Sequence, residues 1–316
     1  MKKVISLIIA LAIIITGFWI IFLQFEPTKK EAKEPAVTAN KTTKKEQKPV
    51  SEIAIPTLFV HGYSGTINSF GGMINRLAED GDVTKSLVMN VAADGTVSSD
   101  GNYDKFSHNP TIQVIFEDNK SSAANQTQWI QNVMKELKNN YHIEKVYAVG
   151  HSMGGVSLTS YIEKVGSDKT YPVLEKLVLI GAPLNGLVIG DDGVTAYDLT
   201  DSGPKKSSDR YSEFMKNKQK IPTNLHVLNI AGDTLNGTKS DGSVSVASAL
   251  SGKFIFEGQA ASYEEKTFTG KNAAHSKLHE NTDVDAEVAD FLWGIERLEF
   301  LRLAPTLQRM FPRKSK

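Results

Sequence analysis

The 316-residue sequence contains no cysteine. This absence excludes a disulfide framework and a lipid-modified cysteine. Lysine and arginine together number 36, and aspartate and glutamate also number 36, so neither charge is in excess. The chain therefore has no electrostatic footprint for nucleic acid, and we expect no nucleic acid partner. Internal repeats and heptad runs are also absent, which excludes repeat arrays and coiled coils.

The first 25 residues contain a long uncharged run. Twenty residues, Val4 to Leu23, carry no charge and are enough to span a bilayer. A cleaved signal peptide is the alternative, but its apolar region is usually shorter and ends in a small-residue cleavage site. We therefore expect residues 1–25 to be a single-pass signal anchor in the cell membrane. Long following domains translocate largely regardless of flanking lysines, so we expect the body outside the cell, with secretion as the alternative.

Three further segments follow the anchor. Residues 26–52 are rich in Lys, Thr and Pro and offer almost nothing apolar to bury, which predicts a disordered tether. Residues 53–294 have a size compatible with one α/β domain. Residues 295–316 form a basic amphipathic tail, a type of segment that can lie on an anionic membrane. Packing on its own domain is the alternative, and the role of this tail is open.

Short apolar runs alternate with helical patterns between residues 53 and 294. Alternation of this kind predicts an α/β fold, with a mostly parallel central sheet covered by helices on both faces. Active sites in such sheets lie beyond the carboxyl ends of the strands. The predicted strands are Pro56–Val60, Leu87–Val91, Thr111–Phe116, Val146–Val149, Leu174–Ile180, Leu225–Ile230, Lys253–Phe256 and Glu265–Phe268.

Glycines surround Ser152 in the stretch VGHSMGG, at positions 150, 154 and 155. A predicted strand, Val146–Val149, precedes this serine, and an apolar helix face follows it, formed by Leu158, Ile162 and Val165. Strand, sharp turn and helix are the context of a nucleophile elbow, in which the serine hydroxyl is exposed. The backbone amide of Met153, at the start of the helix, then stabilises negative charge. An ordinary turn that needs small residues is the alternative.

A second loop of interest follows the first strand of the body. Pro56–Val60 delivers His61 and Gly62 into a tight turn, and a helix follows. Acyl-transfer enzymes of this strand arrangement take a second oxyanion donor from such a turn, and the backbone amide of Tyr63 is the candidate here. A plain strand-to-helix turn is the alternative.

Five motifs follow one another along the body: FVHGYSG from Phe59, VGHSMGG from Val149, IGAPLNG from Ile180, SDGSVSVASA from Ser240 and AAHSKLHEN from Ala273. In this order they resemble the α/β-hydrolase superfamily and its lipase-like branch. They look most like a family of poorly characterised cell-surface α/β-hydrolases of Gram-positive bacteria. The resemblance extends from about Ile55 to Gly294 and implies an α/β-hydrolase fold with a Ser-Asp-His triad.

The implied triad has its acid and its histidine after Ser152, in that order. Only His275 and His279 come late enough, and the spacing of His275 to Glu280 resembles the family. Asp241 lies in SDGSV, where the resemblance places the acid, while Asp233 also follows a predicted strand. The resemblance thus implies Ser152, Asp241 and His275, with Asp233 and His279 as the competing assignments.

The resemblance implies a serine hydrolase that cleaves carboxylic esters and takes a small-molecule acyl ester as its substrate. An enzyme of this kind requires no cofactor, neither metal nor organic. The aspartate-rich stretches at Asp94 and Asp191 lack a reliable pattern of metal ligands. The same machinery also serves thioesterases, peptidases and acyltransferases, and a non-catalytic binding module on this fold is a further alternative.

An insertion between Pro183 and Ile221 carries several apolar residues. It is expected either to line an acyl pocket or to form a solvated loop. Its apolar residues are Leu187, Val188, Ile189, Val194 and Tyr197.

Overall fold

A computed structural model of the protein describes residues 53–190 and 198–296. The predicted anchor, the tether, nearly all of the tail, Val194 and Tyr197 lie outside the described residues. Every helix in the described ranges is too short or too polar to traverse a bilayer.

Eight of the ten strands in the described part of the chain form one sheet, with the order β10-β9-β6-β5-β1-β4-β2-β3. Neighbouring strands are parallel except β3, which pairs antiparallel with β2 at the sheet edge. The two remaining strands, β7 and β8, form a small hairpin. The strands are β1 Thr57–Val60, β2 Thr84–Val91, β3 Val97–Gly101, β4 Pro110–Phe116, β5 Lys145–His151, β6 Val173–Ile180, β7 Leu199–Thr200, β8 Gly203–Pro204, β9 His226–Asp233 and β10 Ser262–Thr269.

Helices cover both faces of the sheet, as predicted. The apolar residues of α2 and α3 pack on one face and those of α1 and α7 pack on the other. Because buried residues recur at a spacing of three and four along α1 and α2, each helix presents one apolar face to the strands. The helices are α1 Ile67–Glu79, α2 Ala123–Asn140, α3 Met153–Val165, α4 Asp209–Asn217, α5 Val246–Leu250, α6 Gly252–Phe256 and α7 Thr282–Trp293, with short 3-10 segments at Lys218–Lys220, Lys271–Ala273 and His275–Glu280.

One predicted strand is wrong. Lys253–Phe256 belongs to the short helix α6, in which Ile255 and Phe256 are buried. An apolar run of this length fits a buried strand and a buried helix equally well. Strand β3 was not predicted, because most of its residues are exposed and it has no apolar alternation.

The described body begins near the amino ends of the strands and carries Ser152 near their carboxyl ends. Near its start, Ala54 N–H donates to the carbonyl of Lys105, which precedes β4, and Pro56 accepts from Tyr147 of β5. At the other end, α7 runs back from the carboxyl edge of the sheet, and Lys176 of β6 donates to its last carbonyls. Both ends of the described body, Ile53 and Glu296, therefore lie on the side of the strands' amino ends.

Candidate active site

Ser152 sits between the end of β5 and the start of α3. Its backbone has φ 54° and ψ −124°, a conformation that residues with a side chain rarely adopt. The Ser152 N–H donates to the carbonyl of Ile180, the last residue of β6, at 2.9 Å. The predicted strand, sharp turn and helix are therefore present, and the serine occupies the strained position of the turn.

The glycines around Ser152 allow three backbone segments to meet. A Cβ atom on Gly154 would lie 2.3 Å from the carbonyl oxygen of Val60, so the first turn of α3 lies against the end of β1. A Cβ atom on Gly62 would lie 2.8 Å from the Cβ of Ser152. Both distances are shorter than any non-bonded carbon contact allows. Small residues at these positions bring the turn after β1 directly beside the serine.

Ser152 joins His275 and Asp241 in a continuous chain of hydrogen bonds. The Nδ1 of His275 lies 2.7 Å from the Oδ2 of Asp241, and its Nε2 lies 2.9 Å from the Oγ of Ser152. A carboxylate only accepts hydrogen bonds, so Nδ1 carries the proton and Nε2 of the neutral ring accepts from the serine hydroxyl. This arrangement can take a proton from Ser152 as its oxygen attacks.

Asp241 is held in place by the loop after β9. Its Oδ1 accepts from the N–H groups of Ser243, at 2.8 Å, and Val244, at 2.7 Å. Its backbone carbonyl accepts from the N–H of His275 at 2.8 Å. Because the carboxylate is buried and both oxygens are engaged, Oδ2 is fixed toward the imidazole.

The two competing residues lie elsewhere. Asp233 closes a tight turn by accepting from the N–H of Leu235 at 2.9 Å, and it has no hydrogen bond to a histidine among the described residues. The ring of His279 packs against His151, with 4.7 Å between ring centroids, and against Phe70 at 5.9 Å. Neither side chain is hydrogen-bonded to Ser152 in the described structure.

The turn after β1 is braced from below by His61. The Nε2 of this buried ring accepts from the N–H of Phe116 at 3.1 Å, so Nδ1 carries the proton and donates to the carbonyl of Gly62 at 2.8 Å. Burial lowers the pKa of His61, which keeps the ring neutral and preserves this pattern of donor and acceptor. The sequence placed His61 in the turn but gave no indication of this support.

Asn119 braces the same turn from the side. Its carbonyl accepts from the N–H of Ser64 at 2.7 Å, and its Nδ2 donates to the carbonyl of Gly65 at 2.8 Å. Among the described residues, the backbone N–H groups of Tyr63 and Met153 donate to no protein acceptor. The turn and the start of α3 thus meet beside Ser152, and each contributes one amide that donates to no acceptor among the described residues.

An arginine that sequence reasoning missed holds the histidine-bearing segment His275–Glu280. Arg76 of α1 makes a two-point contact with the buried carboxylate of Asp285, at 2.5 and 3.1 Å. It also donates to Glu280 at 2.9 Å and to the backbone carbonyl of His279 at 3.0 Å. One guanidinium therefore connects α1, the histidine segment and α7.

The insertion after β6 is partly packed. Leu187 packs against a small apolar cluster of Ala231, Val244 and Ala249, whereas Ile189 is 86% exposed. A cavity of about 750 Å³ lies beside the loop that carries Asp241. Its lining is partly apolar and partly polar, and includes Val188, Leu199, Val246 and Leu250 together with Thr238 and Ser240.

A family model described as an alpha/beta hydrolase of unknown function, DUF915, matches residues 44–295. The chain belongs to this family. The predicted resemblance to the α/β-hydrolases and the predicted hydrolase fold are thereby confirmed. Within residues 53–190 and 198–296 of this DUF915 member, no three His, Asp or Glu side chains are arranged so that together they could hold a metal ion.

Two solved structures from Gram-positive bacteria are similar over most of the chain. A protein of Listeria innocua is 32% identical, with a TM-score of 0.71, covering 77% of this chain and 95% of that one. A protein of Lactobacillus plantarum, provisionally described as a cell surface hydrolase, is 28% identical with a TM-score of 0.65, covering 79% and 96%. No curated protein matches the chain.

Proposed function

We propose that this DUF915 protein is a serine hydrolase that cleaves carboxylic esters through an acyl-enzyme. The observation that carries the proposal is the continuous chain from Ser152 Oγ through the His275 ring to Asp241, with distances of 2.9 and 2.7 Å. A strained serine on an elbow, beside two available amides, supports the same reaction class.

In the proposed acylation step, the Nε2 of His275 takes the proton of Ser152 as Oγ attacks the acyl carbon. The resulting oxyanion accepts hydrogen bonds from the N–H groups of Tyr63 and Met153. The C–O bond to the leaving alcohol then breaks, and the imidazolium returns its proton to that alcohol. Asp241 keeps the imidazole in the required tautomer and stabilises its charged form.

Deacylation repeats these steps with water as the nucleophile. His275 takes a proton from water, the hydroxide oxygen attacks the acyl carbon, and Ser152 leaves with the proton returned by the imidazolium. Every proton moves through His275, so the proposed reaction calls for no metal and no organic cofactor.

The proposed substrate is a small acyl ester with an uncharged acyl chain. We propose further that residues 1–25 anchor the protein in the cell membrane and leave the body outside. The uncharged run from Val4 to Leu23 supports this location, and the description given to the Lactobacillus relative is consistent with it.

The test uses the full-length protein in detergent with p-nitrophenyl esters from acetyl to decanoyl. Ser152→Ala should lower kcat by at least about a thousandfold, because the remaining machinery gives only weak catalysis over water. Turnover should persist in EDTA. A Ser152→Ala protein with the wild-type kcat would show that the elbow is not the reaction centre.

Two pairs of variants test the other triad members. Asp241→Asn should lower kcat by about ten-thousandfold, because the imidazole adopts the wrong tautomer, and His275→Gln should have a comparable effect. Asp233→Asn and His279→Gln are the matched controls and should retain most activity. The reverse ranking within either pair would move that role to the neighbouring residue and leave Ser152 in place.

A further inference from the structure

His151, the residue before Ser152, has a buried side chain that the proposed reaction does not use. Its Nε2 lies 3.1 Å from the backbone carbonyl oxygen of His275. A carbonyl only accepts, so the His151 proton is on Nε2 and is donated to His275. One hydrogen bond thus connects the strand that carries the nucleophile directly to the segment that carries the base.

This contact completes the support of the His275 backbone. The N–H of His275 donates to the carbonyl of Asp241 at 2.8 Å, while its own carbonyl accepts from His151. One partner is the triad acid and the other is the neighbour of the triad serine. The backbone of His275 is therefore hydrogen-bonded to Asp241 and to the residue next to Ser152, the two groups with which the His275 ring must align.

The ring of His151 also packs against the ring of His275 and restricts its orientation. Their centroids are 4.6 Å apart, and on another side His151 contacts His279 at 4.7 Å. Burial, followed by the neighbouring rings of His275 and His279, lowers the pKa of His151 well below 6.5. A neutral neighbour does not repel the imidazolium that forms on His275 during the proposed reaction.

We propose that His151 is a positioning residue that fixes His275 relative to Ser152. This inference rests on the proposed function. A misplacement of a reacting group by about 1 Å can cost about a hundredfold in rate, so a single well-placed donor has a measurable effect.

Substitution can separate the donor from the ring. His151→Phe keeps a planar ring of similar size and removes the donor, whereas His151→Gln places an amide nitrogen near the position of Nε2. His226→Phe is the matched control, because His226 lies at the amino end of β9, where its Nδ1 is hydrogen-bonded to Ser262 of β10. A role in packing alone predicts that Phe is tolerated better than Gln, and a positioning role predicts the opposite.

The experiment measures kcat and KM of the full-length variants with a p-nitrophenyl ester, together with the labelling rate of Ser152 by a fluorophosphonate probe. We expect His151→Phe to lower kcat and the labelling rate by about tenfold to a hundredfold with little change in KM. His151→Gln should recover most of that loss, and His226→Phe should match the wild type. A folded Phe variant with the wild-type kcat, or a Gln variant slower than Phe, overturns the proposal.

Inactive wild-type protein and an unfolded Phe variant lead to different conclusions. If the wild-type protein neither turns over esters nor reacts with the probe, the proposed function fails rather than the role of His151. If the Phe variant does not fold, ¹⁵N NMR of the wild-type histidines decides, because the proposal requires His151 to carry its proton on Nε2. A proton found on Nδ1 instead excludes the hydrogen bond to His275.

Discussion

Gly154 has no room for a methyl group. A Cβ atom there would lie 2.3 Å from the carbonyl oxygen of Val60 and 2.6 Å from that of His61, both backbone atoms that cannot turn aside. Gly154→Ala must therefore push the start of α3 away from the end of β1. Because that boundary aligns Ser152 with the turn holding Tyr63, we expect a loss of about 1–3 kcal/mol in the free energy of unfolding and a large fall in kcat.

Gly71 provides the matched control for this substitution. It lies in α1, and a Cβ atom there would have no atom within 4 Å. Gly71→Ala should therefore stabilise the protein by about 0.5–1 kcal/mol and leave kcat unchanged. Urea denaturation and ester turnover measure both effects. Equal effects of the two substitutions would contradict the close packing of α3 on β1.

The glycines of the elbow could be read from the sequence because their spacing is local. The support of the turn after β1 by His61 and Asn119 could not be read in this way. His61 stands two residues before Tyr63, but its role depends on a backbone N–H of Phe116, and Asn119 joins from the following loop. Such contacts depend on which strands become neighbours, and β1 and β4 are neighbours only in the folded sheet.

At the scale of secondary structure elements, Arg76 is the link among α1, the histidine segment and α7. Arg76→Met should lower the free energy of unfolding by about 3–5 kcal/mol, because the buried carboxylate of Asp285 loses its two-point contact with the guanidinium. The free energy of unfolding of Arg76→Lys should lie between those of the wild type and Arg76→Met, since lysine keeps the charge and loses the two-point contact. Activity should fall with stability, because the backbone of His279 is released.

Lys145→Met tests whether the loss of any ion pair has this effect. Lys145 pairs with Glu175 at 2.6 Å, but the lysine side chain is 54% exposed, so its loss should cost about 1 kcal/mol or less. Urea denaturation of the two variants gives the comparison. A cost for Arg76→Met no greater than that for Lys145→Met would show that the Asp285 contact is not a structural link.

The elements themselves were predictable where the apolar pattern was long. The helix after Ser152 matches α3, because its apolar positions repeat over two turns. The four-residue strand predicted before Ser152 matches β5, because the glycine-rich turn marks where the strand ends. The strand predicted at Lys253–Phe256 was wrong because its three apolar residues carry no period, and only packing of Ile255 and Phe256 selects the helix. The Arg76–Asp285 pair spans 209 positions, and no local pattern in the sequence indicates it.

At the scale of the whole molecule, buried titratable groups set how stability depends on pH. Glu163 on α3 is buried, and its Oε1 has no hydrogen-bond partner within the described residues. Burial, and next the charge of Glu213, raises the pKa of Glu163 from 4.5 to about 8. Between these values the folded chain holds a proton that the unfolded chain releases, so the free energy of unfolding falls as pH rises from about 4.5 to about 8.

Three buried histidines act in the opposite direction. The pKa values of His61, His151 and His279 lie below 6.5, chiefly because of burial. The unfolded chain takes up protons on these rings below pH 6.5 while the folded chain does not, so stability is lost as the pH falls.

Glu163→Gln should remove the decline on the alkaline side and leave the decline on the acid side. Urea midpoints measured from pH 5 to pH 9 test this, with Glu264→Gln on the exposed face of β10 as the control. The Gln variant should gain most over the wild type at the alkaline end of the range. A difference in midpoint between Glu163→Gln and the wild type that does not grow from pH 5 to pH 8 would show that Glu163 is not held protonated.

The two ends of the described body lie on the side of the sheet away from Ser152. A resin or a sensor chip attached directly at residue 53 or residue 296 would therefore hold the body on the side remote from the proposed chemistry. Substrates bound to large carriers, such as an ester on a polymer bead, can then approach the carboxyl ends of the strands without meeting the attachment point. Attachment at residue 53 or residue 296 would leave the proposed site open, and attachment through the loops after β1, β6 or β9 would block the proposed site.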